Sequence, residues 1–220
     1  MTIKTLAAGL LLATLAAPAF AGPSTLDFTA TIPTGTVPFS RSVSLPTFDS
    51  TLGTLIGITL KVTNNTTAEV DVFNNTASSQ TFTNGSASIP VTLTGLDSTS
   101  ATASAIATIA SGTVAAGLIG KFPGITATST GSQVVPAANF TQYETVGGLN
   151  ATFTASAGNG TYSGVATPGV FFSGSAVSGG TAEIIYTYTA ASVPEPATLG
   201  VLGFAAIGLA AAKRRRARRA

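Results

Sequence analysis

The chain has 220 residues with no histidine, cysteine or tryptophan, and only 8% of its residues are charged. That excludes imidazole acid–base chemistry, a Ser-His-Asp triad, a cysteine nucleophile and histidine or thiolate zinc sites. The net charge of +2 is a product of the two ends: between Gly22 and Pro196, three basic residues (Arg41, Lys61, Lys121) face eight acidic ones, a balance of −5, which leaves no basic patch for nucleic-acid phosphates.

In chain order, residues 1–21 read as an export signal. Lys4 supplies the positive start, residues 6–15 an apolar run, and Pro18 a helix breaker. Ala19 and Ala21 flank Phe20 in the small-x-small pattern that signal peptidase accepts, which predicts a signal helix, passage through the Sec translocon and cleavage after Ala21.

Residues 22–192 are long enough for one domain with its own core. Many Thr, Val, Ile and Phe residues and few charges favour β-structure over disorder. Without cysteine, stability must come from packing alone or from bound ions that the sequence does not advertise, even though an exported compartment would permit disulfides.

Short alternating segments recur between turn residues. Residues 26–32 alternate and end at Pro33; Val43 and Leu45 mark a second strand. In residues 55–62 the alternation places Ile56, Ile58, Leu60 and Val62 on one face. Asn64-Asn65 reads as a turn before a strand over 69–73, and Asn74-Asn75 as another turn before residues 81–83. Ile89, Val91 and Leu93 continue the pattern. Residues 101–120 are alanine-rich, but interleaved Thr with Gly112 and Gly117 favours a strand or pair of strands, with a short helix as the alternative. Residues 126–132 are small and polar and read as loop, and strands follow at 151–154, 170–172 and 182–189. The expected fold is all-β, an antiparallel β-sandwich flanked by an N-terminal signal helix and a C-terminal transmembrane helix.

Within that domain, candidates for chemistry are sparse. Glu69 and Asp71 would share one strand face, either as a calcium-binding edge or as a solvated polar face opposite Val70 and Val72. Phe171-Phe172 must point to opposite faces, while Tyr186 and Tyr188 share one, as a sugar-stacking platform or as core. No nucleotide-binding glycine pattern is present, and no cofactor or metal is expected.

The C-terminal segment, residues 193–220, has three parts. Val193-Pro194-Glu195-Pro196 comes first, followed by an uncharged run of 16 residues (197–212) and a basic cluster of Lys213, Arg214, Arg215, Arg216, Arg218 and Arg219. As a transmembrane helix the run is roughly 24 Å long, short of the roughly 30 Å hydrocarbon core, so a transient anchor suits it as well as a permanent one. The basic cluster acts as a stop-transfer signal that stays cytoplasmic and places the preceding domain outside.

These three parts, in this order at a chain end, resemble the PEP-CTERM sorting signal of Gram-negative bacteria. The resemblance implies recognition by an exosortase, an integral-membrane transpeptidase-like enzyme, and removal of the helix and basic cluster. It also implies a host that makes exopolysaccharide and lives in biofilms. The domain is similar to choice-of-anchor surface domains, nearest type E, through residues 48–55 and the closing strand 184–188. The expectation is therefore a non-enzymatic surface or matrix protein, transiently held in the inner membrane, with exopolysaccharide as a candidate partner. The rival expectation is a carbohydrate-binding module or a weak glycan-active protein built on Asp49, Glu69 or Asp71.

Overall fold

A computed structural model describes residues 22–191 of the chain, so the predicted signal helix (1–21) and tail helix (197–212) lie outside the described residues. Alternating apolar and hydroxyl side chains carry through this stretch and build strands almost throughout. They are β1 (Pro23–Thr36), β2 (Phe39–Pro46), β3 (Phe48–Asp49), β4 (Gly53–Asn74), β5 (Gln80–Thr94), β6 (Ser100–Val114), β7 (Ile119–Val134), β8 (Glu144–Thr145), β9 (Asn150–Ala157), β10 (Thr161–Ala166) and β11 (Val170–Ala190). Short 3-10 turns cover Ser50–Leu52 and Ala137–Tyr143.

One antiparallel sheet has the order β1-β11-β4-β7. In the second, β6 lies along one edge of β5 while β9 and β10 share the other, and β2 closes the far side on β9. Leaving aside the short β3–β8 pair, the chain crosses between the two sheets from β1 to β2, β2 to β4, β4 to β5, β6 to β7, β7 to β9 and β10 to β11, which is the wiring of a jelly roll. The expected antiparallel sandwich is present, in this particular form. Pro90 sits where β5 changes partner, between Ser88 paired to Thr161 and Val91 paired to Ala157. A residue without an N–H fits that gap, and its carbonyl accepts from Gly158 N at 3.3 Å.

Three sequence expectations change, and the favoured reading of the alanine-rich stretch holds. Asn64-Asn65 is not a turn but the middle of β4, which runs unbroken for 22 residues, roughly 70 Å at the usual strand rise. Ile56 does not share the inward face: the register with β11 slips between Thr187 and Tyr188, Leu55 takes the inward place and Ile56 is exposed. Residues 126–132 are not loop but part of β7, in register with residues 61–67 of β4. The alanine-rich stretch is a pair of strands rather than a helix, β6 and the start of β7, with Ala101, Ala103, Ala105 and Ala107 all buried.

Two hydrophobic clusters fill the sandwich. One gathers Leu45, Phe48, Leu60, Leu93, Phe153, Ile184 and Tyr186; the other gathers Val70, Val72, Phe82 and Ile89 with small alanines. Between them along β4 and β11 lies a polar layer of Asn64, Thr66 and Ser178, all buried. The Asn64 amide donates to Ile89 O at 2.8 Å and Ala103 O at 3.2 Å, tying β4 to both β5 and β6 across the interface. Its carbonyl oxygen accepts from Thr66 Oγ1 at 2.8 Å and Ser178 Oγ at 2.7 Å. Among the described residues no buried side-chain polar atom lacks a partner. Nearby, Gly180 has φ +147°, and a Cβ there would collide with the Thr63 carbonyl.

Asn64→Ala should destabilise the domain by roughly 2–4 kcal/mol in urea unfolding, because two hydroxyls and two carbonyls lose a buried partner at once. Asn65→Ala, whose side chain meets only the exposed Thr128 hydroxyl, should stay within about 0.5 kcal/mol of the parent.

Candidate functional site

The outer face of the β11-β4-β7 sheet carries Glu69, Asp71 and Phe171 of the candidates named from sequence. Glu69 and Asp71 do share that face, and the ammonium of Lys121 on β7 lies between them, 2.9 Å from Glu69 Oε1 and 3.4 Å from Asp71 Oδ1. The hydrogen bond from Lys121 is the main cause holding the Glu69 carboxyl below its ordinary value, and the same two acids raise Lys121. A lysine thus takes the position a calcium ion would need, and among the described residues no group of three acidic ligands gathers elsewhere.

One row further along these strands, Phe171, Phe73 and Ile119 stand in register across β11, β4 and β7. Phe73 and Phe171 stack with centroids 6.4 Å apart, and Phe171 is more than half exposed. Phe172 points inward against Phe82, as neighbouring strand positions require. On the other side of the acids a shallow depression is lined by Thr36, Thr67, Glu69, Ser175 and Val177. Tyr186 and Tyr188 share a face, but it is the core face: Tyr186 is buried with its hydroxyl on Pro46 O at 2.9 Å, and Tyr188 packs on Phe48.

Asp49 stands far from these acids. It precedes the 3-10 turn Ser50–Leu52, where its Oδ1 accepts from Thr51 N (2.9 Å) and Gly147 N (3.0 Å), and these backbone donors hold its carboxyl below the ordinary value. Asp49 and Glu69 sit near opposite ends of β4, so they cannot divide acid and base roles on one glycosidic bond.

Asp97, which sequence reading did not single out, is the most strongly held carboxylate. Burial pushes its pKa up, but donors outweigh burial: Thr99 Oγ1 at 2.6 Å, the Tyr143 hydroxyl at 2.5 Å, Asn139 Nδ2 at 2.7 Å and Thr99 N at 3.1 Å bring it to about 2. Burial and this carboxylate raise the Tyr143 hydroxyl above its ordinary value. Every donor comes from the protein itself, so the group pins the β5–β6 turn to the 3-10 turn Ala137–Tyr143. Because the folded pKa lies below the ordinary 3.8, its stabilisation is present above about pH 4 and is lost as pH falls toward 2. Asp97→Asn should cost about 1 kcal/mol near neutral pH, less than the full shift because solvent screens the carboxylate, with the gap to the parent closing in acid unfolding curves between those two values.

The remaining sequence-predicted residues lie outside the described residues: Ala19 and Ala21 of the cleavage site, Val193, Pro194, Glu195 and Pro196, and the cluster from Lys213 to Arg219. Among the described residues no helix is long and apolar enough to cross a membrane. No curated protein matches the chain. Among solved structures, it is similar to one of the infectious bursal disease virus Gx strain, with 12% identity and a TM-score of 0.20, covering 86% of this chain and 42% of that one. A T13 viral particle of IBDV gives 11% identity and a TM-score of 0.20 over 79% of this chain and 37% of that one. The chain spans less than half the length of either, and scores this low carry no argument. Residues 192–216 match the family described as the PEP-CTERM protein-sorting motif, so this chain carries at its C-terminus the sorting signal of an exported, transiently membrane-anchored protein whose processing partner is an exosortase.

Proposed function

We propose that the chain is a non-enzymatic surface or extracellular-matrix protein of a Gram-negative, exopolysaccharide-producing bacterium, delivered by exosortase sorting. In this reading the signal peptide takes it through the Sec translocon, the tail holds it at the inner membrane, and removal of the tail releases a choice-of-anchor type domain to the envelope or biofilm matrix. The sorting motif at residues 192–216 carries the proposal. Support for a non-enzymatic role comes from the side chains: Asp97 is held by four internal donors, one oxygen of Asp49 is held by Thr51 and Gly147, and Glu69 and Asp71 share one lysine. Replacing Pro194-Glu195-Pro196 by three alanines should leave an unprocessed, membrane-retained chain in the native host; unchanged processing and localisation would contradict the proposal.

A second reading, carbohydrate binding, draws on the outer face of β11-β4-β7. There the exposed Phe171 stands one row from Ser173, Asp71 and Lys121, with a hydroxyl-lined depression beyond the acids, an apolar surface beside polar groups that suits a sugar ring. Glycan-array binding that is lost in Phe171→Ala, with the unfolding midpoint unchanged, is the outcome this reading requires. Absence of any glycan signal from the parent removes it.

A further inference from the structure

Both ends of the described domain leave from one end of the sandwich. β1 begins with Pro23 opposite Thr189, and β11 closes with Ala190 opposite Gly53. Ala191 N then donates to Leu52 O at 3.0 Å. Leu52 completes the 3-10 turn that Asp49 caps, and the Asp49 carboxylate also accepts from Gly147 N at 3.0 Å. The loop holding Gly147 is fixed on its other side as well: Leu149 O accepts from Thr47 N at 2.9 Å and Thr47 Oγ1 at 2.8 Å. Loop, turn and chain exit are therefore one hydrogen-bonded unit.

That unit presents large apolar side chains to solvent beside the exposed Ser50, Thr51 and Asn150. Val146 and Leu149, at 75% and 65% exposure, are the two most exposed large hydrophobic side chains among the described residues, and Leu52 adds a third at 40%. Nothing in the domain covers them, although Asp49 Oδ1 at the same place accepts from Thr51 N and Gly147 N. Five residues, 192–196, separate Ala191 from the apolar run at 197, and they reach at most roughly 18 Å. At the other terminus only Gly22 lies between the predicted cleavage bond and Pro23. Whenever the tail is in a bilayer, this end of the sandwich is held beside that bilayer's surface.

We propose that Val146, Leu149 and Leu52 form a membrane-contact tip that rests in the lipid interface of the anchored precursor. This rests on the reading of the tail as a transient anchor. Such a contact is weak for a free domain, but the tether supplies the effective concentration that makes it form. Release of the tail removes the tether, so the tip lets go and the domain leaves the surface. The contact is apolar rather than electrostatic: the domain's three basic residues are Arg41 on β2, Lys61 paired to Glu183, and Lys121 toward the far end of β4, and none lies in the loop or the turn. Neutral lipid therefore suffices. The contact also stands the sandwich upright, with the Phe171 end away from the membrane and Pro194-Glu195-Pro196 close to the lipid surface where an integral-membrane enzyme works.

The chain has no tryptophan, so one substitution gives a single fluorescent reporter. The full chain carrying Leu149→Trp, reconstituted in phosphatidylcholine vesicles, should show blue-shifted emission that brominated acyl chains quench. Phe171→Trp, at the far end, should emit as in water and stay unquenched. Flotation with the vesicles but no quenching of Leu149→Trp overturns the tip contact and leaves the anchor standing. Equal quenching of both reporters overturns the upright contact, and failure to float overturns contact and anchor together. Matched unfolding midpoints verify the fold, and Val146→Trp is the second reporter if Leu149→Trp shifts the midpoint.

Discussion

One buried side-chain amide holds the two sheets in register at their middle. A sandwich whose two longest strands, β4 and β11, run about 70 Å has a long interface, and slippage of one strand past another by one residue would exchange its inward and outward faces. Hydrophobic packing alone tolerates such shifts, since alanine or valine can replace its neighbour with little change. Asn64 does not: its two N–H groups must find Ile89 O and Ala103 O, and its oxygen must find Thr66 and Ser178. Any slip leaves four polar groups unsatisfied in a dry interior. The layer divides the core into two apolar clusters, and each is small enough to be fixed by its own aromatics, Phe48, Phe153 and Tyr186 in one and Phe82 in the other.

The same economy of polar groups recurs at the ends of the sandwich. Asn74 closes the β4–β5 turn, with its amide on Ser78 O and Val114 O and its oxygen on Thr76. Asp97 closes the β5–β6 turn, and Asp49 the chain exit. These Asx-type pins do locally what disulfides do in other exported domains, in a chain with no cysteine. They also account for why so few side chains are left for chemistry: the conspicuous acids are committed to the scaffold or to Lys121. What the domain offers the outside is a broad surface of threonine and serine, with exposed apolar residues at the chain exit, around Phe171 and singly elsewhere, as at Ile106 and Val165.

The linear features were readable and the contact-dependent ones were not. The tail is a sequence of local properties, a Pro-Glu-Pro, an apolar run and a basic cluster, so it needs no fold to be recognised. Alternation in residues 58–62, 89–93 and 184–188 likewise shows its inward face directly. Asn64-Asn65 misled because asparagine pairs favour turns locally, whereas the partners that keep Asn64 in a strand lie 25 and 39 residues away on β5 and β6. Ile56 misled because a bulge opposite Thr187–Tyr188 cannot be seen in one strand alone. Residues 126–132 carry no large apolar side chain, so their strand character comes wholly from pairing with β4. Asp97 was invisible as a pin because its donors Asn139 and Tyr143 stand 42 and 46 residues away.

The chain joins a folded domain to a sorting tail: within residues 22–191 stand two apolar clusters, the polar layer and the Asx pins, and the sorting motif is matched at residues 192–216. The measurement that tests this most directly is the intact mass of the protein recovered from the surface or medium of its native host. The account predicts a chain that begins at Gly22 and lacks both the apolar run 197–212 and the basic cluster from Lys213 to Arg219. A recovered mass that still includes those residues would contradict it.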